Sequence, residues 1–126
     1  MKYLIDSSAW TEYFKGSASG EKVSRILEEE NEIYTTVLNI GEVVSLFKRE
    51  GKQSEAVYEC MIKRSRIAEI TPKIAKEAGK LHGELKGTIK NLSLADAIIA
   101  KTAETSGAIV LTQDNHFKHL SKAEFI

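Results

Sequence analysis

Cysteine is almost missing from this chain: Cys60 is the only one. A lone thiol cannot close an internal disulfide, and with no second cysteine nearby it offers no thiolate zinc centre, so Cys60 reads as a small packed side chain. Proline is equally scarce. The single Pro72 leaves no proline-rich linker, and no segment is of low complexity or internally repeated. No run reaches the roughly 18 apolar residues of a membrane span, and the N-terminus lacks the basic-then-apolar pattern of a signal peptide, so a cytoplasmic protein with no membrane association is expected. Net charge is also lacking, because 18 Lys and Arg balance 18 Asp and Glu. No overall field draws the chain to nucleic acid, and any anionic partner has to be held locally. Local basic clusters exist at Lys48, Arg49 and Lys52, at Lys63, Arg64 and Arg66, and at Lys86 and Lys90. Each also fits a solvated face or a helix C-terminal charge complement.

What the chain does have is enough apolar residue for one core. At 126 residues and 42% hydrophobic content, a single domain over residues 1–126 is expected. Tyr3-Leu4-Ile5 is a short β-prone run, halted by Asp6-Ser7-Ser8. Ala9 to Lys15 reads as a helix stopped by Gly16, Ser17 to Gly20 as a loop, and Glu21 to Glu30 as a second helix with Val23, Ile26 and Leu27 on one face. Glu32 to Thr36 is a predicted strand feeding a helix from Val37 to Glu50. A helix over Gln53 to Arg66 follows, then a strand at Ile67 to Ile70. Thr71-Pro72 is a cap with proline at the first helical position, opening a helix to about Lys86. After a loop at Gly87 to Asn91, Ser93 to Ser106 is helical until Gly107, and Ala108 to Leu111 is an apolar strand. Ala123 to Ile126 reads as an edge strand. Strands alternating with helices predict an α/β domain: a parallel sheet with helices on both faces.

Four acids share one topological situation. Asp6 ends the first strand and Asp114 lies three residues past the fourth, so both fall at the carboxyl edge of the sheet, where ligands of open α/β folds sit. Glu42 and Asp96 are on the first turns of helices. Asp96 shares a stripe with Ile99, Ala100 and Ala103 and is therefore expected to point inward. Each acid taken alone also has a structural reading. Asp6 or Ser7 can cap the first helix, Asn39 with Glu42 and Ser93 with Asp96 fit capping boxes, and Asp114 fits an Asx turn. Convergence is what capping does not require. Several carboxylates within a few ångströms raise one another's pKa unless a cation neutralises them, and oxygen-only ligands select Mg²⁺ or Mn²⁺ over zinc. Metal-assisted phosphodiester hydrolysis is the reaction class that follows.

Four segments carry a resemblance: Leu4-Ile5-Asp6-Ser7-Ser8; Asn39-Ile40-Gly41-Glu42-Val43; Leu92-Ser93-Leu94-Ala95-Asp96-Ala97-Ile98-Ile99-Ala100; and Leu111-Thr112-Gln113-Asp114-Asn115-His116-Phe117. In order and over nearly the whole chain they resemble a PIN domain, and more narrowly the VapC-like toxin ribonucleases. That resemblance implies a parallel sheet of four or five strands and a Mg²⁺- or Mn²⁺-dependent endoribonuclease acting on RNA. It also implies a cognate antitoxin and a homodimer. It assigns Asp6, Glu42 and Asp96 to the family's acidic triad and Asp114 to its more variable fourth acid, as catalytic and metal-binding groups, with Ser7 and Thr112 supporting the site. His116 departs from the pattern, since many members carry an aspartate there.

Two other functions compete. Phosphoryl transfer through an aspartyl phosphate on Asp6 usually needs a second acid two residues on, where this chain has Ser8; a non-catalytic RNA- or partner-binding domain would keep the acids for structure. His116 and His119 have a spacing that can suit a metal but read more simply as surface residues. Trp10, Tyr13 and Phe14 read as core or dimer-interface rings on a helix too short to bury all three.

Overall fold

A computed structural model describes residues 1–126. Five strands, β1 (Lys2–Ile5), β2 (Glu32–Thr35), β3 (Arg66–Ile67), β4 (Ile109–Thr112) and β5 (Ala123–Phe125), form one sheet in the order β3-β2-β1-β4-β5. Every pairing is parallel. Six helices connect and cover them: α1 (Ser7–Lys15), α2 (Ala18–Glu28), α3 (Val37–Arg49), α4 (Ser54–Arg64), α5 (Pro72–Leu85) and α6 (Leu94–Ser106); a 3₁₀ helix follows at Asn115–His119. The predicted α/β class and the C-terminal edge strand are both present.

Pleating sends alternate residues of β1 to opposite faces, and each face has its own core. Tyr3 and Ile5 pack with Trp10, Val23, Val43, Phe47 and Met61 under α1 to α4. Leu4 packs the other way, with Val110, Ile99, Ala100, Ala103 and Phe117 under α6 and the 3₁₀ helix. A strand buried on both faces has to read as an apolar run, which is why β1 lacks polar alternation.

Two local expectations need correction. The Ser17 to Gly20 stretch is largely helix, not loop: Ser17 caps α2 by accepting a 3.0 Å bond from the Gly20 N–H. Gly20 is there for close approach, since a Cβ would overlap the Glu12 carbonyl where α1 and α2 cross. Gly20→Ala should therefore cost about 3 kcal/mol, read as a lower urea midpoint with unchanged slope. The third strand is only Arg66–Ile67; the Ala68 N–H makes a last bond to the Thr35 carbonyl at 2.8 Å, and the chain then leaves the sheet. Its partner runs out: Ile67 pairs with Thr35, and the next residue, Thr36, has already become a helix cap.

The aromatic cluster follows the core reading. Trp10 is fully buried and donates from Nε1 to Thr35 Oγ1 at 2.8 Å. Phe14 stacks on it at 5.7 Å, Tyr13 meets it edge-on at 5.9 Å, and Phe14 packs edge-on against Phe47 of α3 at 5.9 Å. Tyr13 and Phe14 remain half-buried against this core, as a helix too short to bury all three rings requires.

Because all strands run the same way, their C-terminal ends share one edge, with β1 between β2 and β4. Residues directly following β1, β2 and β4 meet there.

Candidate active site

Asp6 stands at the centre of that edge. Its N–H extends the β1–β4 pairing by donating to the Leu111 carbonyl at 2.9 Å, and its carbonyl accepts the first bond of α1 from Trp10 at 3.0 Å. Asp6 is thus the N-cap residue of α1, yet its carboxylate caps nothing. It is only 5% exposed. Oδ2 accepts from Thr112 Oγ1 at 2.9 Å and from Ser8 Oγ at 3.0 Å, while Oδ1 accepts from Asn39 Nδ2 at 3.4 Å. Burial pushes the Asp6 pKa up to about 6; hydrogen bonds from Thr112, Ser8 and the Ser7 backbone pull against this, and the negative charge of Asp96 adds to it.

On the β2 side, Thr36 and not Asn39 is the cap of α3. Thr36 Oγ1 accepts from the Asn39 N–H at 3.2 Å, and Asn39 Oδ1 accepts from the Thr36 N–H at 3.2 Å and from its hydroxyl at 2.7 Å. With its oxygen committed, the buried Asn39 amide turns Nδ2 towards Asp6 and donates to Ser7 Oγ at 3.0 Å. Ser7 in turn donates to Glu42 Oε1 at 2.7 Å. The capping-box reading of Asn39 with Glu42 is therefore overturned: Glu42, one turn along α3 and exposed, is held by Ser7.

On the β4 side, Ser93 does cap α6, accepting from the Asp96 N–H at 3.0 Å. The return bond of a capping box is absent, and the Asp96 carboxylate, whose side chain is 18% exposed, turns to the edge. Ile99, Ala100 and Ala103 on the same stripe are buried, as the spacing predicts. Asp114 makes the Asx turn expected of it, Oδ1 accepting from the His116 N–H at 2.9 Å. Its own N–H donates to Thr112 Oγ1 at 2.9 Å. One hydroxyl thus fixes Asp6 and Asp114 together.

His116 is the residue that sequence reading undervalued. The 3₁₀ turn brings its Nδ1 to 3.2 Å from Asp114 Oδ1 and 3.6 Å from Asp96 Oδ2, with hydrogen-bond geometry to neither. Ligand atoms of Asp96, Asp114 and His116 all lie within 4.8 Å of one another. His119, by contrast, is exposed. Asn39 was missed as well, because a polar residue at a helix start looks like a cap when its partner Thr36 looks like strand.

The four acids thus occupy one edge, with Ser7, Asn39 and Thr112 between them, and a model of the PIN domain family matches residues 3–123. The chain belongs to the PIN domain family. No curated protein sequence matches it. The fold of this PIN domain is similar to that in the structure of VapBC2 from Rickettsia felis bound to a DNA fragment from their promoter, at 22% identity and a TM-score of 0.80, covering 100% of this chain and 99% of that one. It is also similar to a toxin–antitoxin complex from Klebsiella pneumoniae, at 22% identity and a TM-score of 0.76, covering 97% and 95%. Mycobacterium tuberculosis VapC20, a sarcin-ricin loop cleaving toxin, matches at 17% identity and a TM-score of 0.74, covering 92% of each chain. At such identities the likeness is one of fold.

The donor set of this PIN domain fits a divalent cation. None of the four acids is paired with a lysine or arginine; every such pair lies elsewhere. Asp6 carries the consequence, a carboxylate kept hard to ionise in a buried site that lacks a counter-charge. One imidazole nitrogen joins the expected oxygens.

Proposed function

We propose that the protein is a Mg²⁺- or Mn²⁺-dependent endoribonuclease, the toxin of a VapBC-like toxin–antitoxin pair. The observation that carries this reading is four acids on one sheet edge with no lysine or arginine partner, the Asp6 and Glu42 carboxylates oriented by hydroxyl and amide donors and that of Asp114 by the His116 N–H. Asp6, Glu42, Asp96 and Asp114 would hold the cation, with Ser7 and Thr112 keeping them in register. Bound there, a divalent ion would polarise the phosphodiester and make water a better nucleophile at neutral pH.

The chain's own contributions follow from its bonds. Thr112 and Ser8 orient Asp6 without neutralising it, so its charge stays available to a cation. Ser7 holds Glu42 at the solvent side of the edge, where a polynucleotide can reach it. Of the three basic clusters, Lys86 and Lys90 lie in the connection that enters α6 beside Asp96, which suits them to backbone phosphates. Aspartyl-phosphate chemistry is disfavoured, because Oδ2 of Asp6 already accepts two hydroxyl bonds and Ser8 replaces the second acid.

Glu42→Gln decides between roles for that residue. Glutamine can accept the Ser7 bond but ligates a cation poorly, so RNA cleavage should fall by about 100-fold or more while the melting temperature stays within a few degrees. Wild-type cleavage by this variant would remove Glu42 from the site.

The partners proposed are an RNA substrate, a cognate antitoxin and a second copy of the chain. Toxin–antitoxin complexes among the similar structures support the antitoxin, and Tyr58 and Ile62, exposed one turn apart on α4, support a protein partner. Light scattering should give twice the 14.0 kDa chain mass at micromolar concentration. No helix is long and apolar enough to cross a membrane, in keeping with action in the cytoplasm.

A further inference from the structure

His116 changes what the acid edge can bind. Its Nδ1 is enclosed and has no hydrogen-bond partner, although carboxylate oxygens of Asp114 and Asp96 stand 3.2 and 3.6 Å away. A buried polar atom left unpaired in this way is destabilising and calls for an explanation. Two atoms each bound at about 2.1 Å to one ion, at right angles, lie about 3.0 Å apart. The separations around Nδ1 are therefore close to those of neighbouring ligands on a shared cation. The His116 N–H also donates to Asp114 Oδ1, which ties the histidine's backbone to the acid it would share the ion with.

Resting on the metal-nuclease reading above, we propose that His116 Nδ1 is a direct ligand, with Asp96 and Asp114, of a cation on the β4 side of the edge. This makes the site take Mn²⁺, Fe²⁺ or Co²⁺ ahead of Mg²⁺. Magnesium is a hard ion that favours oxygen and keeps its waters, whereas imidazole suits first-row transition ions. An aspartate at this position would remove that bias. The tail histidine is thus a determinant of metal identity, and the acids on either side of it are common to both choices.

The test uses the full chain and each metal chloride alone. Calorimetric titration of the wild type with Mg²⁺, Mn²⁺ and Co²⁺ should show the two transition ions binding at least about tenfold tighter than Mg²⁺. Pulsed electron paramagnetic resonance of the Mn²⁺ complex should show coupling to a directly bound nitrogen. In His116→Gln that coupling should vanish and Mn²⁺ affinity fall about tenfold or more, with Mg²⁺ affinity changed by less than about threefold. His116→Asp should bring Mg²⁺ and Mn²⁺ affinities together. Mn²⁺ binding without nitrogen coupling in the wild type, or equal losses for both ions in His116→Gln, overturns the assignment of His116 and leaves the nuclease reading standing. A wild type that binds none of the three ions overturns both.

Discussion

Asp96→Asn should lose RNA cleavage by about 100-fold or more and yet melt higher than the wild type in EDTA. The loss of activity follows from the ligand role proposed for Asp96, since even partners one shell further out are worth roughly 10- to 100-fold. The gain in stability follows from charge. Asp96 faces Asp114 across the His116 ring and adds to the upward push on Asp6, so the metal-free protein holds carboxylates that repel one another. Removing one such interaction near the surface is worth about 1 kcal/mol, or about 3 °C in a domain of this size. Mg²⁺ or Mn²⁺ should raise the wild-type melting temperature, because a ligand that binds only the folded state stabilises it, and should move the variant much less. Were Asp96 only a helix-start acid, its loss would destabilise the protein equally with and without metal. Four melting curves separate these outcomes, and a destabilised variant with a wild-type metal response would take Asp96 out of the site.

Relative to Asp6→Asn, the stability of the wild type in EDTA should fall as pH rises from about 4 to about 6. Asp6 has a folded pKa of about 6 against an ordinary value of 3.8, so across that window the folded state holds a proton that the unfolded chain releases. The stabilisation from this proton is fully present below the unfolded value and is lost as pH passes through the folded one. The shift of about two units corresponds to roughly 3 kcal/mol. Other carboxylates titrate nearby, so the measurement is a difference: urea midpoints of wild type and Asp6→Asn at pH 4, 5, 6 and 7. The wild type should lose ground to the variant as pH rises, and a saturating divalent ion at pH 7 should restore it. A constant difference would mean that the buried carboxylate is not the source.

The fold was legible because its signals are local and strong. Apolar runs without alternation marked β1 and β4, and Gly16, Gly107 and Thr71-Pro72 marked helix ends that the structure keeps. Where reading failed, a partner far along the chain made the choice. Ser17 to Gly20 has loop composition, but α1 lies against it and gives the glycine a packing role. Thr36 and Asn39 are both competent caps; what settles the matter is Asp6 and Ser7, more than thirty residues upstream, which take the Asn39 amide. The acids were visible as a set because strand ends converge in a parallel sheet. His116 was not, since a 3₁₀ turn carries no periodicity to show which way a ring points.

The Thr112 hydroxyl reaches Asp6 across 106 positions of sequence, and the strands that carry them are neighbours in the sheet. During synthesis the first carboxylate is therefore made long before Thr112, although Ser8 and Asn39, which also bond it, come early. A ribosome-bound chain lacking β4 has Asp6, Ser7 and Glu42 but neither Thr112 nor the Asp114 and His116 that follow it. Non-local pairing of this kind forms late. The acidic edge of such a fold is complete only once β4 and the turn after it have been made and have docked beside β1.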